Sequence, residues 1–112
     1  MTARQAAVEG VFTALADPTR RRLLDVLAAH GEATATMLAG ELPVSRQAVV
    51  KYLAVLDSAG LVRGHRAGRE VRYAVSSERL DATARWLAAR AAEWDRRLIT
   101  IKRLAEAGKK AR

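Results

Sequence analysis

The sequence predicts a mainly α-helical domain of about five helices that carries one small β-hairpin. Half of the 112 residues are hydrophobic but only 4% are aromatic, and Ala and Leu dominate, a balance that favours helices over sheet. Apolar residues recur at helical spacing as far as Gly60, then alternate with polar ones, then return to helical spacing. A chain of this length fits one compact domain, so we expect residues 1–112 to form a single unit.

Four helices are expected before Gly60, and capping residues mark their ends. The first is predicted from apolar residues at helical spacing, which are Val8, Val11, Phe12 and Leu15. Asp17 and Pro18 supply an N-cap and a first helical residue for the second helix. That helix is expected to run to about Ala29 and to end at Gly31.

The third and fourth helices are expected to form a helix-turn-helix. Thr34 is placed to cap a short third helix, and Pro43 is placed to stop it. Ser45 is placed to cap the fourth helix, which ends near Gly60. The residues expected to face the core are Leu38 and Leu42 in the third helix and Val49, Leu53 and Leu56 in the fourth. Two helices joined by so short a turn make a helix-turn-helix.

A β-hairpin is expected directly after the helix-turn-helix. Val71, Tyr73 and Val75 alternate with Arg72 and Ala74, as in a half-buried strand. Residues 61–66 can form the opposing strand, with 67–68 at the turn. A hairpin in this place is called a wing, so the predicted fold is a winged helix-turn-helix.

A long final helix, 77–107, is predicted after Ser76 or Ser77, followed by a frayed basic tail at 108–112. Its apolar residues repeat at alternating spacings of four and three, as in a heptad seam: Leu80, Ala84, Leu87, Ala91, Trp94, Leu98, Ile101 and Ala105. So long a stripe in so small a chain predicts a homodimer. Alternatively, the stripe packs on the protein's own first helix. Both can hold if the first and last helices form a joint interface, to which Val8 and Phe12 would contribute.

The exposed face of the fourth helix is suited to the DNA major groove. Opposite the core-facing residues lie Gln47, Val50, Lys51 and Ala54, with Arg46 at the N-terminal flank. Short or apolar side chains allow close approach, and a few donors reach base edges and phosphates. Gln47 could contact an adenine, Arg46 a guanine or a phosphate, and Val50 a thymine methyl group. Ser45 and Lys51 suit phosphates. The alternative is an ordinary solvated helix face.

The predicted wing is strongly basic. Its arginines are Arg63, Arg66, Arg69 and Arg72, with His65 among them and Glu70 as the opposing charge. The whole chain has 20 Lys and Arg against 12 Asp and Glu, for a formal net charge of +8. Such a wing can contact the DNA backbone or minor groove, although a charged edge strand is also common. A helix-turn-helix followed by a basic hairpin indicates DNA binding more specifically than either part alone. The combination therefore predicts double-stranded DNA as the partner.

Several functions are disfavoured by the residues present. The chain has no cysteine, which excludes disulfides, thiolate metal sites and thiol redox switching. His30 and His65 are its only imidazoles and are too few and too far apart for a metal site. With no glycine-rich phosphate loop and no Ser-His-Asp arrangement, we expect no enzyme and no cofactor. No signal peptide or apolar run of roughly 20 residues is present, so we expect a soluble, cytoplasmic protein with no membrane partner.

Four segments resemble the ArsR-type (ArsR/SmtB) winged-helix regulators. They are ADPTRRRLL at 16–24, SRQAVVKYL at 45–53, LDSAGLV at 56–62 and GREVRY at 68–73, in the family's order. The resemblance implies a homodimer that binds operator DNA near its own promoter, often as a repressor released by an effector. It also implies that the segment 45–53 is the recognition helix, which adds Ala48 and Tyr52 to the predicted DNA contacts.

The chain departs from the metal-sensing members of that family. The thiol pair of the arsenic, cadmium or lead sensors falls on Thr34 and Thr36, and the last helix has no histidine for a zinc or nickel site. The chain therefore resembles the metal-free branch, and its effector, if it has one, is not identified. Two other classes stay open: a winged-helix module that binds an acidic protein, and an architectural DNA binder without sequence preference.

Overall fold

The computed structural model describes residues 1–110 and contains five helices and one two-stranded antiparallel sheet in that range, which confirms the predicted fold class. The elements are α1 (Ala3–Leu15), α2 (Pro18–His30), α3 (Ala35–Ala39), α4 (Arg46–Ser58), β1 (Val62–Ala67), β2 (Glu70–Val75) and α5 (Glu78–Lys110). The chain divides into two compact units, with the boundary between residues 82 and 83. The first unit, 1–82, holds the helix-turn-helix and the wing.

Side-chain caps start the first four helices. Asp17, Thr34 and Ser45 occupy the N-cap positions predicted for them, and each side chain accepts a hydrogen bond from a backbone N–H of the first turn. Thr2 caps α1 in a reciprocal arrangement with Gln5, an additional capping box at the start of the first helix. These bonds satisfy donors that the helix itself leaves without partners.

Two arginines of the segment 16–24 cap the C-terminal end of α1. The Arg20 guanidinium donates from Nε to the Ala14 carbonyl over 2.7 Å and from Nη2 to the Thr13 carbonyl over 3.0 Å. Arg21 donates to the Leu15 carbonyl. Cations at this end complement the helix dipole and satisfy orphan carbonyls. These two arginines therefore have a role in the fold itself.

A single apolar cluster joins α1, α2, α3, α4 and β1. Side chains with no exposed surface are Leu23, Leu27, Leu38, Val49, Leu53, Leu56, Leu61 and Val62. The predicted core-facing residues of α4 are all in this set. The third helix is shorter than predicted: it ends at Ala39, and Gly40 is its C-cap. Leu42 is still buried but lies in the turn after the helix, so Pro43 is not the residue that ends it.

A tight turn at Gly60 connects α4 to the wing. The Leu61 N–H donates to the Leu56 carbonyl and the Gly60 N–H to the Asp57 carbonyl, both over 2.9 Å, in the pattern of a Schellman motif. Gly60 has φ of +77°, and a Cβ there would lie 2.8 Å from Cδ of Arg79. Glycine adopts this positive φ without strain, so it suits the position where the chain turns directly from α4 into β1.

The wing differs from its prediction by one residue. Ala67 pairs with Glu70, so the turn is Gly68-Arg69 rather than 67–68. Gly68 has φ of +66° while Arg69 does not have positive φ, the signs expected for a type II′ hairpin turn. On its other edge β2 exchanges two backbone hydrogen bonds with Ala33, of 2.9 and 3.0 Å, which tie the loop before α3 to the wing.

The last helix, α5, begins one residue after Ser77 and is longer than predicted. It continues through Gly108 to Lys110, so the predicted frayed tail is wrong for 108–110, and 111–112 lie outside the described residues. One glycine lowers helix stability by only about 1 kcal/mol, which is too little to end this helix.

Within residues 1–110, no helix combines the length and the apolar run that a membrane span requires.

Candidate nucleic-acid interface

The exposed face of α4 carries four of the residues singled out in the sequence. Gln47, Val50, Lys51 and Ala54 are all exposed, and the Val50 side chain retains 41% of its surface. Val49 and Leu53, on the other side of the helix, have no exposed surface. The helix therefore presents one amide, one ammonium group and two small apolar groups to its surroundings, the kind of surface that fits into a major groove.

Two residues at the start of α4 extend this face. Ser45 Oγ accepts a hydrogen bond from the Ala48 N–H over 3.1 Å, and a hydroxyl that accepts one bond can donate another to a phosphate. The Nε–H of Arg46 donates to Oγ1 of Thr36 on α3 over 3.1 Å. Both side chains are exposed. They lie at the N-terminal end of α4, which is the end that reaches base edges in helix-turn-helix proteins.

Ala48 and Tyr52 are less accessible than the other predicted contacts. Both are half-buried, and Tyr52 packs against the core cluster with the Arg20 guanidinium carbon 6.0 Å from its ring centroid. Tyr52 was predicted to touch DNA because it lies in the segment 45–53. Its ring packs partly against the core cluster, because Tyr52 lies about 140° around the helix from Gln47, and its predicted contact with DNA stays a prediction.

The four wing arginines do not form one cluster. The strand register puts Arg63 opposite Ala74 and Arg72 opposite His65, so Arg63 and Arg72 share one face of the hairpin. Arg66, opposite Val71, lies on the other face. Arg69 occupies the turn at the tip. The four arginines predicted to contact DNA all lie in the hairpin, distributed over its two faces and its tip.

Carboxylates neutralise part of the first of these faces. Arg72 forms an ion pair with Glu70 at 3.5 Å, and His65 Nε2 lies 3.1 Å from a carboxylate oxygen of Glu32. Within the described range 1–110, no carboxylate forms an ion pair with Arg63, Arg66 or Arg69. Lys51 on α4 is likewise without an ion pair in that range. These cations keep their full charge for phosphates, and Arg66 and Arg69 are the strongest candidates on the wing.

Sequence reasoning missed Thr36 and Glu32 as parts of this surface. Thr36 entered only as a position where other proteins carry a thiol, and nothing in the spacing indicated a bond to Arg46. Glu32 lies in the loop before α3, which pairs with β2 through one isolated bridge and has no strand pattern in the sequence.

In residues 1–110, no group of three His, Cys, Asp or Glu side chains lies close enough together to hold a metal ion.

The predicted dimer residues divide into exposed and buried ones. On α5, Leu87, Trp94, Leu98 and Ile101 retain 46, 60, 63 and 62% of their surfaces, and Ala84 and Ala91 are exposed as well. Phe12 on α1 retains 42%. Val8 retains only 4% and has little surface to offer a partner, whereas Leu80 is half-buried against the core cluster.

The fold and this surface together define a winged helix-turn-helix protein of the DNA-binding class. A helix-turn-helix domain family matches residues 15–65, which run from the end of α1 into the wing. The transcriptional repressor SdpR of Bacillus subtilis is 31% identical over 80 residues, which cover 71% of this chain and 88% of that protein.

Solved structures agree with this match. An ArsR-like transcriptional regulator from Rhodococcus sp. RHA1 has a TM-score of 0.85 at 44% identity, covering 93% of this chain and 97% of that one. A second structure, of an ArsR family transcriptional regulator, has a TM-score of 0.73 at 34% identity and covers 85% and 97%. The chain belongs to the ArsR family and is a DNA-binding transcriptional regulator.

The different surroundings of the wing arginines generate a prediction about salt dependence. Arg69→Ala should flatten the slope of log affinity against log salt by about 0.9, because one phosphate contact is lost. Arg72→Ala is the matched control and should change the slope less, because Glu70 already offsets its charge. Binding to one duplex over a series of salt concentrations measures both slopes. A larger effect from Arg72→Ala would contradict this assignment of the wing charges.

Proposed function

We propose that this chain is a homodimeric repressor that binds operator DNA of its own and neighbouring genes and does not respond to metal. The observation that carries the proposal is the exposed face of α4, where Gln47 and Val50 offer base-reading groups beside the unpaired charge of Lys51. The relative named a transcriptional repressor favours repression over activation. A regulator of this kind works on chromosomal DNA, so we place it in the cytoplasm, associated with the nucleoid when bound, with no catalytic activity.

Dimerisation is proposed through the apolar stripe of α5. This stripe consists of Leu87, Trp94, Leu98 and Ile101, which recur at heptad spacing along a helix of 33 residues and are all at least 46% exposed. Ion pairs from Glu93 to Arg90 and Arg97, of 3.2 and 2.6 Å, lie beside it on the same helix. A second copy of the stripe is its natural cover, since dimers of this class place two recognition helices about 34 Å apart on one face of DNA. The contribution of Phe12 on α1 stays a prediction.

The chemistry of α3 supports regulation without metal. Thr34 and Thr36 stand where metal-sensing relatives are expected to carry thiols, and both hydroxyls take part in the fold. Thr34 Oγ1 caps α3 by accepting from the Met37 N–H over 3.2 Å, and Thr36 Oγ1 accepts from Arg46. A neutral threonine hydroxyl is a poor ligand for the thiophilic metals that a cysteine pair selects.

The base-reading assignment is tested by Gln47→Ala. Duplexes are first selected from a randomised pool with the unmodified protein, and single base changes are then ranked by affinity. Loss of a bidentate amide contact should erase about 1–3 kcal/mol of preference at one position and leave the others as they were. Thr100→Ser, an exposed position on α5 outside the helix-turn-helix and the wing, is the control. If Gln47→Ala preserves the complete ranking, α4 does not read a base through this residue.

The dimer is tested by a charge in the α5 stripe. Leu98→Lys should convert the dimer to a 12.2 kDa monomer in sedimentation equilibrium, because the ammonium group would have to be buried against apolar side chains. Thr100→Lys adds the same charge about 200° around the helix from Leu98 and should remain dimeric. If Leu98→Lys has the same mass as the unmodified protein, the stripe is not part of the dimer interface.

A further inference from the structure

A hydrogen bond joins the two helices of the helix-turn-helix on their exposed side. The Nε–H of Arg46 donates to Oγ1 of Thr36 over 3.1 Å, and both side chains are exposed. We propose that Thr36 is a positioning residue for sequence recognition, because it orients the Arg46 guanidinium so that its terminal edge meets a guanine. This inference rests on the proposed operator binding and adds a residue that reads no base itself.

Both ends of the bond are held by the backbone. Thr36 lies in α3 between Ala35 and Leu38, which are 7% and 0% exposed, so the helix cannot rotate without disturbing the core. Arg46 is the first residue of α4, next to the Ser45 cap, and the Ser45 carbonyl accepts from the Val49 N–H over 3.0 Å. A hydrogen bond between two fixed points restricts a long and otherwise mobile side chain before DNA arrives.

The atom that donates determines what Arg46 can still do. A guanidinium has two donor edges, and the one that includes Nε is engaged by Thr36. The other edge presents Nη1 and Nη2, two parallel donors whose geometry matches O6 and N7 of guanine. Thr36 therefore leaves Arg46 with one bidentate edge in a defined plane.

The hydroxyl orients Arg46 without neutralising it. Threonine carries no charge, and within residues 1–110 no carboxylate forms an ion pair with Arg46. An acidic residue at position 36 would hold the guanidinium equally well, but it would cancel the charge and repel phosphates. A neutral acceptor keeps both the orientation and the attraction to DNA.

The test compares Thr36→Val with Thr36→Ser in the 112-residue chain. Valine keeps the size and branching of threonine but cannot accept a hydrogen bond, whereas serine retains the hydroxyl. Affinities are measured for a duplex selected from a randomised pool by the unmodified protein and for a scrambled duplex of the same composition. Thr36→Val should lower the ratio of the two affinities by about 3- to 10-fold, through the selected duplex alone. Its salt slope should stay unchanged because no charge is lost. Thr36→Ser should keep most of the ratio.

Arg46→Ala provides the second arm. It should lower both the ratio and the salt slope, and Thr36→Val added to it should cause no further loss, because Thr36 acts only through Arg46. A Thr36→Val protein with the unmodified ratio would overturn the inference. So would an equal loss on both duplexes, or an effect that persists in the Arg46→Ala background, since either result indicates a merely structural tether.

The same experiment separates this inference from the proposed function. If the unmodified protein does not distinguish the two duplexes, operator binding fails and the inference fails with it. If the unmodified protein distinguishes them and Thr36→Val does so equally well, only the role of Thr36 is overturned.

Discussion

Burial of one face of α4 is the constraint on which the rest of the structure depends. Val49, Leu53 and Leu56 have no exposed surface, and each contributes roughly 1.5–3 kcal/mol by leaving water. Because these residues recur every three to four positions, their burial forces Gln47 and Lys51 outward on the opposite side. The apolar cluster that stabilises the domain therefore also determines which side chains of α4 are exposed and available to a partner. A substitution that rotates α4 would alter stability and recognition together.

The wing depends on the same helix through the turn at Gly60. The Schellman bonds end α4 and direct β1 away at once, while Leu61 and Val62 enter the core beside Leu56. Two backbone bonds to Ala33 hold β2 from its other edge. The hairpin is thus fixed at its base by packing, and its tip, with Arg69, extends into solvent. That arrangement suits a tip that contacts the DNA backbone near a helix in the groove.

The arginines of this chain have different structural roles. Arg20 and Arg21 cap α1, Arg90 and Arg97 pair with Glu93, and Arg72 pairs with Glu70. The formal net charge of +8 therefore overstates how many cations are ready for phosphates. The cations without carboxylate partners in residues 1–110 include Lys51, Arg66 and Arg69, on α4 and the wing. Their placement is stronger support for DNA binding than the total charge is.

Local patterns in the sequence predicted most of the fold. Asp17, Thr34 and Ser45 cap helices as expected because an N-cap depends only on the next three residues. Features that depend on contacts between elements were not predictable: the strand register that separates Arg66 from Arg63, the partial burial of Tyr52, and the bond from Arg46 to Thr36. The exposed face of α4 was predictable from helical periodicity, whereas the partners of each cation required the tertiary structure.

The central claim is that this chain recognises a particular DNA sequence near its own gene. Fluorescence anisotropy with a duplex from immediately upstream of the gene, and with a scrambled duplex, at about 50 and 200 mM salt, tests it most directly. We expect the affinity for the upstream duplex to be at least about 1,000-fold above that for the scrambled control. Both affinities should fall as salt rises. Equal affinity for the two duplexes, or no binding to either at low salt, would contradict it.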